Sequence, residues 1–410
     1  AVMHLLYARF FTKVTRDAGM NTVGEPFGTL VCQGMLNAPA PFCSVCNAEF
    51  HVDLFGGDCP TCGEKLGTRS VKMGKSLGNT VSPGEMVGRY GADTVRLFIL
   101  FGANPEAGMD WSDSALEANH RQLHSIIDAM ESAMTLGETP TPLDDWLLAR
   151  LRVNQAAWKD SMSIVSIREG VMISHYEMLS DWAWYIRRGG NNRDTARQFL
   201  LGWIPMLAPT TPHIAEEFWH SVGGEGMLAT YCLEESSDSS EEDTGVLARE
   251  AYLKELISSG RALRELAERY AEEEITSVII QTSPVWKEQL AREAIQLDSE
   301  SFDFKARGMD HLKSMDVFSV EQMRGEVIQT WMALTMGSKK KRGRIHTWSQ
   351  GEKQLIMSAI DEASTINMNS EFIAHALEVT SVEAYHAGEG EDVAGKAKFA
   401  FPLEPGIAFL

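Results

Sequence analysis

The sequence has no long hydrophobic run. Its longest aliphatic and aromatic stretch is Leu97–Phe101, far short of the roughly 20 residues a membrane helix needs. A transmembrane helix is excluded and no membrane partner is expected. No secretory signal opens the chain. Positive charge is scarce: 37 Lys and Arg stand against 57 Asp and Glu, a formal net charge of −20. That excludes a surface coated in basic residues, yet a local basic patch is enough to touch nucleic acid. Cysteine is scarce too, with six in 410 residues, which excludes a small disulfide scaffold. Internal repeats are absent. With 44% hydrophobic and 23% charged residues, the composition excludes bulk disorder and collagen. At roughly 100–200 residues per domain, the length predicts two to four domains. An initiator Met is also missing. The opening Ala1-Val2-Met3-His4-Leu5-Leu6, followed by Tyr7, Phe10 and Phe11, reads as the interior of a buried helix. The expectation is a fragment or one piece of a split protein.

Four of the six cysteines form two knuckles, Cys43-x-x-Cys46 and Cys59-x-x-Cys62, with twelve residues between them. This spacing suits four thiolates around a tetrahedral Zn²⁺. A pair of disulfides is the competing use of the same residues, and iron suits the same ligands. Asn47 and Gly63 follow the two knuckles where tight turns are needed. No open coordination position or neighbouring His–Glu pair is evident, so the metal reads as structural. Cys32 and Cys232 are single, and without a secretion signal they point to a reducing, cytoplasmic location.

Periodicity organises the rest. Residues 1–19 read as a helix, 28–36 as a short strand and 37–69 as a Cys/Gly/Pro-rich insert. A Gly/Ser/Lys loop over 70–84 ends in Ser82-Pro83-Gly84, a helix start. Helices are expected over 84–101 and 112–135. From Pro142 to about Val222 apolar residues recur at three- and four-residue steps, the pattern of a helix bundle. Six acids and four serines over 234–243 read as a solvated linker. Beyond it the pattern is α+β. A helix carries Tyr252 through Tyr270, and a strand follows at 275–281. Another helix starts at Ser283-Pro284. Ser319 and Gln322 predict a capping box for a helix over 320–335. Residues 351–367 read as helix, and 377–385, 396–401 and 407–410 as strands.

The segment richest in chemistry is Lys72-Met73-Gly74-Lys75-Ser76-Leu77-Gly78-Asn79. Two lysines three residues apart in a Gly-rich loop before a helix can swing ammonium groups onto a polyphosphate; a solvated surface turn explains the residues alone about as well. The segment resembles the KMSKS signature of class I aminoacyl-tRNA synthetases. Tyr90-Gly91-Ala92-Asp93-Thr94-Val95-Arg96-Leu97-Phe98 resembles the stretch on the C-terminal side of that signature. Pro105-Glu106 and Met109-Asp110-Trp111-Ser112-Asp113 are similar to leucyl-tRNA synthetases in particular. So are His4-Leu5-Leu6-Tyr7-Ala8-Arg9-Phe10 and Glu25-Pro26-Phe27 preceding Gln33-Gly34-Met35. Ala208-Pro209, with Pro212-His213-Ile214-Ala215-Glu216-Glu217, resembles the anticodon-domain helix of the leucyl, isoleucyl and valyl group. The ending Glu404-Pro405-Gly406-Ile407 is similar to the archaeal-type leucyl enzymes.

The resemblance implies an enzyme that joins leucine to ATP, with Mg²⁺, and passes leucine to its tRNA. Lys72 and Lys75 would stabilise the triphosphate in the transition state. Met73 and Ser76 would belong to the ATP-binding loop, with Ser76 and Asn79 shaping it. Gln33 and Gly34 would pass along the nucleotide floor, or simply end a buried strand. His4 would line the leucine pocket, or be an ordinary helix histidine. Asp110 and Trp111 read as structural braces. Gly74 stands where the family has Ser, loosening the backbone.

The implied fold is multidomain. A Rossmann-type α/β remnant over 1–36 precedes a zinc ribbon insert over 37–69, and the KMSKS-type loop with stem-contact helices fills 70–140. An α-helical anticodon-binding bundle follows over 141–233, then an acidic linker over 234–245 and a C-terminal α+β tRNA-binding domain over 246–410. Neither the HIGH-type tetrapeptide nor a segment long enough for an editing domain occurs. The expected partners are therefore tRNA(Leu), leucine and an N-terminal part of the same enzyme, without which the chain is expected to be inactive.

Two basic groups are candidates for tRNA phosphates. Arg187-Arg188-Gly189-Gly190 reads as an exposed basic turn beside Trp184 and Tyr185. The denser one is Lys339-Lys340-Lys341-Arg342-Gly343-Arg344, five basic residues in six, with His346 and Trp348 following as stacking candidates.

Overall fold

The computed structural model describes every residue except 1, 32–33, 234–240, 272–273, 301, 337–342, 359, 390–391 and 393–394. Among the described residues no helix is long and apolar enough to cross a membrane. The chain divides into two compact units. The first comprises Ala1–Gly137, Asn154–Ala183 and Ala196–Glu235; the second comprises Glu138–Val153, Trp184–Thr195 and Ser236–Leu410.

The first unit begins with helix Val2–Asp17. The opening predicts a buried helix, but no residue of this one is buried, and Tyr7, Phe10 and Phe11 are 58–60% exposed. Its ammonium and guanidinium groups at Lys13 and Arg9 instead reach Glu25 at 3.0 and 2.8 Å. Among the described residues of 28–36 only Leu36 is in a strand, and pairing starts there. Strand Leu36–Cys43 runs antiparallel to Gly67–Lys72, in a register from Asn37 opposite Lys72 to Phe42 opposite Gly67. Ala48–Glu49 pairs at its Cys43 end, and Met109–Asp110 runs parallel to its Leu36 end.

The helix expected over 84–101 is two helices, Pro83–Tyr90 and Ala92–Gly102. Gly91 separates them. It sits at φ 83°, accessible to Gly at little steric cost, and its N–H closes the first helix on the Val87 carbonyl. Helix Asp113–Ala133 forms as the pattern predicts, with the Ser112 hydroxyl accepting from the Ala115 N–H. Met86, Phe98 and Leu116 make the core these helices share, with Tyr90, Met109 and Trp111 packed against it.

Polar groups are also buried in this unit. His175 is fully buried, and burial pushes its pKa down to about 3, so it sits neutral. Its ring lies 2.9 Å from the Ser174 hydroxyl and 3.2 Å from that of Thr211.

In the second unit strand Ser277–Thr282 is central, parallel to Ser381–His386 and antiparallel to Gly406–Phe409. Helices surround a core that includes Leu290, Leu312, Trp331, Ile345 and Trp348. Two sequence expectations fail here for local reasons. No capping box forms at Ser319, because its hydroxyl donates to the Asp316 carbonyl at 2.6 Å and the helix starts only at Arg324; the capping box is at Ser349 and Glu352. Residues 396–401 form a single helical turn, Ala397–Phe399, and no strand. The carbonyls of Lys398 and Ala400 accept from the Lys287 ammonium at 3.2 and 2.9 Å. The pattern over 351–367 resolves into Gln350–Met357 and Glu362–Met368. The strand expected from 377 begins at Ser381, since Ser370–Leu377 is helical.

Candidate active-site loop and metal centre

Lys72 is the last residue of strand Gly67–Lys72, and Lys75 stands in the turn beyond it. Both side chains are exposed, and neither ammonium has a hydrogen-bond or ion-pair partner among the described residues. Met73 is half-buried, its N–H on the Leu36 carbonyl at 3.1 Å, and Ser76 is exposed. The turn closes through Leu77 N–H to Gly74 O at 3.1 Å and Gly78 N–H to Lys75 O at 3.3 Å.

Asn79 fixes this shape. It is 6% exposed, accepts from the Gly74 N–H at 2.9 Å and donates to the Ala38 carbonyl at 3.2 Å. A short polar side chain thus ties the lysine turn to the strand beneath it, a local competition with regular structure that Asn performs well. Gly74 has ordinary backbone angles, and a Cβ there would meet nothing closer than 3.8 Å. A larger side chain therefore meets no steric obstacle at this position.

The Met109–Ser112 segment braces the loop from its other side. Ser70, on the strand that leads into the lysines, donates to the Asp110 carboxylate. The Trp111 ring meets Phe98 edge-on at 4.9 Å, and its N–H donates to Asp113 at 2.8 Å. Each residue of the motif has a structural task. Two other motifs meet in the same unit: the Asp93 carboxylate accepts from the Ile214 N–H at 2.9 Å and lies 2.8 Å from the His213 ring. The Arg96 guanidinium donates to the carbonyls of Pro209 and Thr210 at 2.8 and 2.9 Å.

Gly34 lies against the turn at 105–108. Its N–H donates to the Pro105 carbonyl at 2.6 Å, and a Cβ there would fall 2.0 Å from the Ala107 oxygen. Any side chain would break this approach. Gly34 also lines a cavity of about 140 Å³ with Leu36, Ile99 and Met109 among others. Gln33 lies outside the described residues. His4 is exposed on helix Val2–Asp17.

The sulfurs of Cys43, Cys46, Cys59 and Cys62 all lie within 4.8 Å of one another. Cys43 and Cys62 are 3.5 Å apart, Cys46 and Cys59 3.8 Å. Four thiolates at about 2.3 Å from one ion have tetrahedral edges of about 3.8 Å, so the donor set fits a single tetrahedral cation. Cys43 and Cys59 are buried with Leu66, and Phe50 and Leu54 pack around them. Asn47 and Gly63 take positive φ, 48° and 75°, at the two turns. At Cys59 burial raises the thiol pKa, but the N–H groups of Cys62 and Thr61 outweigh it and bring the group down to about 6. Cys46 is pushed up to about 12, first by its bond to the Cys62 thiol. Crowded thiolates require a shared cation for all four to ionise together.

The basic residues fare differently. Arg187 is exposed, its guanidinium 4.8 Å above the Trp184 ring. Arg188 is not the exposed residue its sequence predicts. Its side chain is 9% exposed and bonds Glu250 at 3.0 Å and Asn369 at 2.9 Å, over the face of Phe372. Its charge is spent inside the second unit. Arg344 pairs with Glu404 and lies 4.2 Å from the Phe401 ring centre. Lys339, Lys340, Lys341 and Arg342 lie outside the described residues. Trp348 is in the core at 8% exposure, so it cannot stack on a base. Sequence reasoning missed Val52, whose backbone N–H donates to the Leu77 carbonyl, and His51, whose ring lies against Gly78. Nothing in their residue types signals that role.

Residues 144–280 match the family described as "Anticodon-binding domain of tRNA ligase". The leucine--tRNA ligase of Parasynechococcus marenigrum (strain WH8102) is 36% identical over 237 residues, covering 55% of this chain and 28% of that protein. That of Synechococcus sp. (strain CC9605) is 34% identical over 250 residues, covering 56% and 27%. Among solved structures, the ternary complex of Agrobacterium radiobacter K84 agnB2 LeuRS with tRNA and LeuAMS gives a TM-score of 0.41 at 24% identity, covering 58% of this chain and 27% of that one. The chain thus spans less than a third of the length of the curated relatives it matches.

Proposed function

We propose that this chain, a relative of the leucine--tRNA ligases across more than half of its residues, is the C-terminal part of such an enzyme. It would supply the lysine loop and the tRNA-gripping elements, and the remaining part of the enzyme would complete the adenylation site. The observation that carries this reading is the loop itself: two exposed ammonium groups, without partners among the described residues, on a turn that Asn79 ties to the strand beneath.

In this reading a leucine carboxylate oxygen attacks the α-phosphorus of Mg-ATP, and the bond to the β-phosphate oxygen breaks as pyrophosphate leaves. Lys75, with Lys72 beside it, neutralises the charge that gathers on the departing phosphates. Preorganised charge of this kind contributes about 3–4 kcal/mol per group. The leucyl group then passes to the terminal ribose of tRNA(Leu). Gln33 and Gly34 pass along the nucleotide floor, and His4 belongs to the leucine side. The four cysteines hold one structural zinc, whose contribution is folding energy. Arg187 and the Lys339–Arg342 cluster contact tRNA phosphates, while Arg344 is held by Glu404. Four unbridged thiols converging on one point support a reducing, cytoplasmic location. The archaeal-type assignment rests on the Glu404-Pro405-Gly406-Ile407 ending alone.

The test is aminoacylation by this chain combined with the N-terminal part in trans. Leucine should be charged and isoleucine, valine and methionine should not. Charging by the N-terminal part alone, or preference for another amino acid, would refute the proposal.

A further inference from the structure

We infer that the cysteine knuckles hold the lysine loop in position through His51 and Val52, so that metal loading and the placement of Lys75 are coupled. The contacts form an unbroken chain. Phe50 and Leu54 pack on the core of Cys43, Cys59 and Leu66. Between them, the turn Val52–Leu54 closes through Leu54 N–H to His51 O at 3.0 Å and Phe55 N–H to Val52 O at 3.1 Å. The Val52 N–H is left pointing outward and donates to the Leu77 carbonyl at 2.9 Å. Gly78 passes so close that a Cβ there would lie 2.5 Å from the His51 ring and 3.0 Å from Val52. Leu77 and Gly78 are the residues whose N–H groups close the turn around Lys75. A metal gathering the four sulfurs fixes the segment between the knuckles, and that segment presses on the back of the lysine turn. Val52 is a positioning residue, acting on Lys75 through Leu77. Only the task of the loop rests on the ligase reading; the coupling itself does not.

Val52→Pro tests the link. Val52 is the first residue of its turn, where proline is tolerated. His51 already has φ −61° and ψ 147°, the region a residue before proline adopts. The substitution therefore deletes the one N–H and spares the turn. The readout is tryptic cleavage after Lys75 in the full chain, with and without a chelator. Cobalt(II)–thiolate absorption reports on the metal site independently. In the wild type, chelation should speed cleavage about five-fold, the factor one net backbone hydrogen bond carries. Val52→Pro loaded with metal should cleave at the chelated wild-type rate, change less than about two-fold on chelation and keep the cobalt band. Cys43→Ser should cleave fast without chelator. A Val52→Pro chain that responds to chelation as the wild type does would overturn the inference. So would loss of its cobalt band, which would make Val52 a part of the metal fold and nothing more. Pyrophosphate exchange by the reassembled enzyme tests the ligase reading separately, and its failure would leave the coupling standing.

Discussion

Replacing Arg188 should unfold the second unit more readily. The Arg188 side chain is 9% exposed and that of Glu250 8%. Glu250 also accepts from the Trp184 indole at 2.9 Å. Removing the guanidinium leaves a carboxylate enclosed with one neutral donor. Breaking a buried pair in this way costs about 3–5 kcal/mol. In a unit of about 200 residues each kcal/mol shifts the midpoint by roughly 2–4 °C. Arg188→Ala should therefore lower the melting temperature by between about 6 and 20 °C. Arg187→Ala, which loses only an exposed contact over an indole, should cost less than about 1 kcal/mol. Calorimetry of the full chain measures both. The double variant Arg188→Met, Glu250→Gln removes both charges and keeps an acceptor for Trp184, so it should recover more than half of the loss. An Arg188→Ala chain as stable as the wild type, with tRNA binding weakened, would refute the structural assignment and restore the phosphate-contact reading.

Three further outcomes rest on the same geometry. Burial raises the Glu362 pKa to about 7, against bonds from the Leu403 N–H and the Tyr252 hydroxyl. The native state then holds a proton that the unfolded chain releases near pH 4.5, so stability falls as pH rises from about 4.5 to 7. Glu362→Gln should flatten that slope, by on the order of 3 kcal/mol across the window; an unchanged pH dependence of unfolding would contradict it. Gly74→Ser should be accepted and should stabilise the first unit by about 0.4–1 kcal/mol, because its backbone is ordinary and the space is open; destabilisation in urea melts would contradict that. In leucine tRNA binding against salt, changing Lys339, Lys340, Lys341 and Arg342 to Ser should reduce the logarithmic slope by about 3–4. Arg344→Ser alone should change it by less than about 1, since Arg344 is already paired with Glu404.

The features legible in the sequence were local. The CxxC spacing led to four convergent sulfurs because each knuckle is a short turn fixed by its own residues. The lysine turn followed for the same reason. Gly91 was visible, but only its positive φ decides that one helix becomes two. Burial was not legible where it depends on distant partners. Arg188 meets Glu250 and Asn369, and Trp348 joins the core with Leu290 and Trp331. Neither neighbour set is near in sequence. The strand expected at 28–36 is seen among the described residues only at Leu36, where Met109 offers a pairing edge; a short apolar stretch does not supply such an edge by itself. His51 and Val52 contribute through a backbone N–H and a close approach, which residue identity does not encode.

The most direct test of the central claim is leucine-dependent pyrophosphate exchange with ATP, measured for this chain combined with the N-terminal part, with Lys75 intact or changed to Ala. Exchange should require both parts. Lys75→Ala should lower the turnover by about 10²–10³-fold while leaving assembly of the two parts unchanged. Exchange that proceeds without this chain, or that Lys75→Ala leaves untouched, would contradict the account.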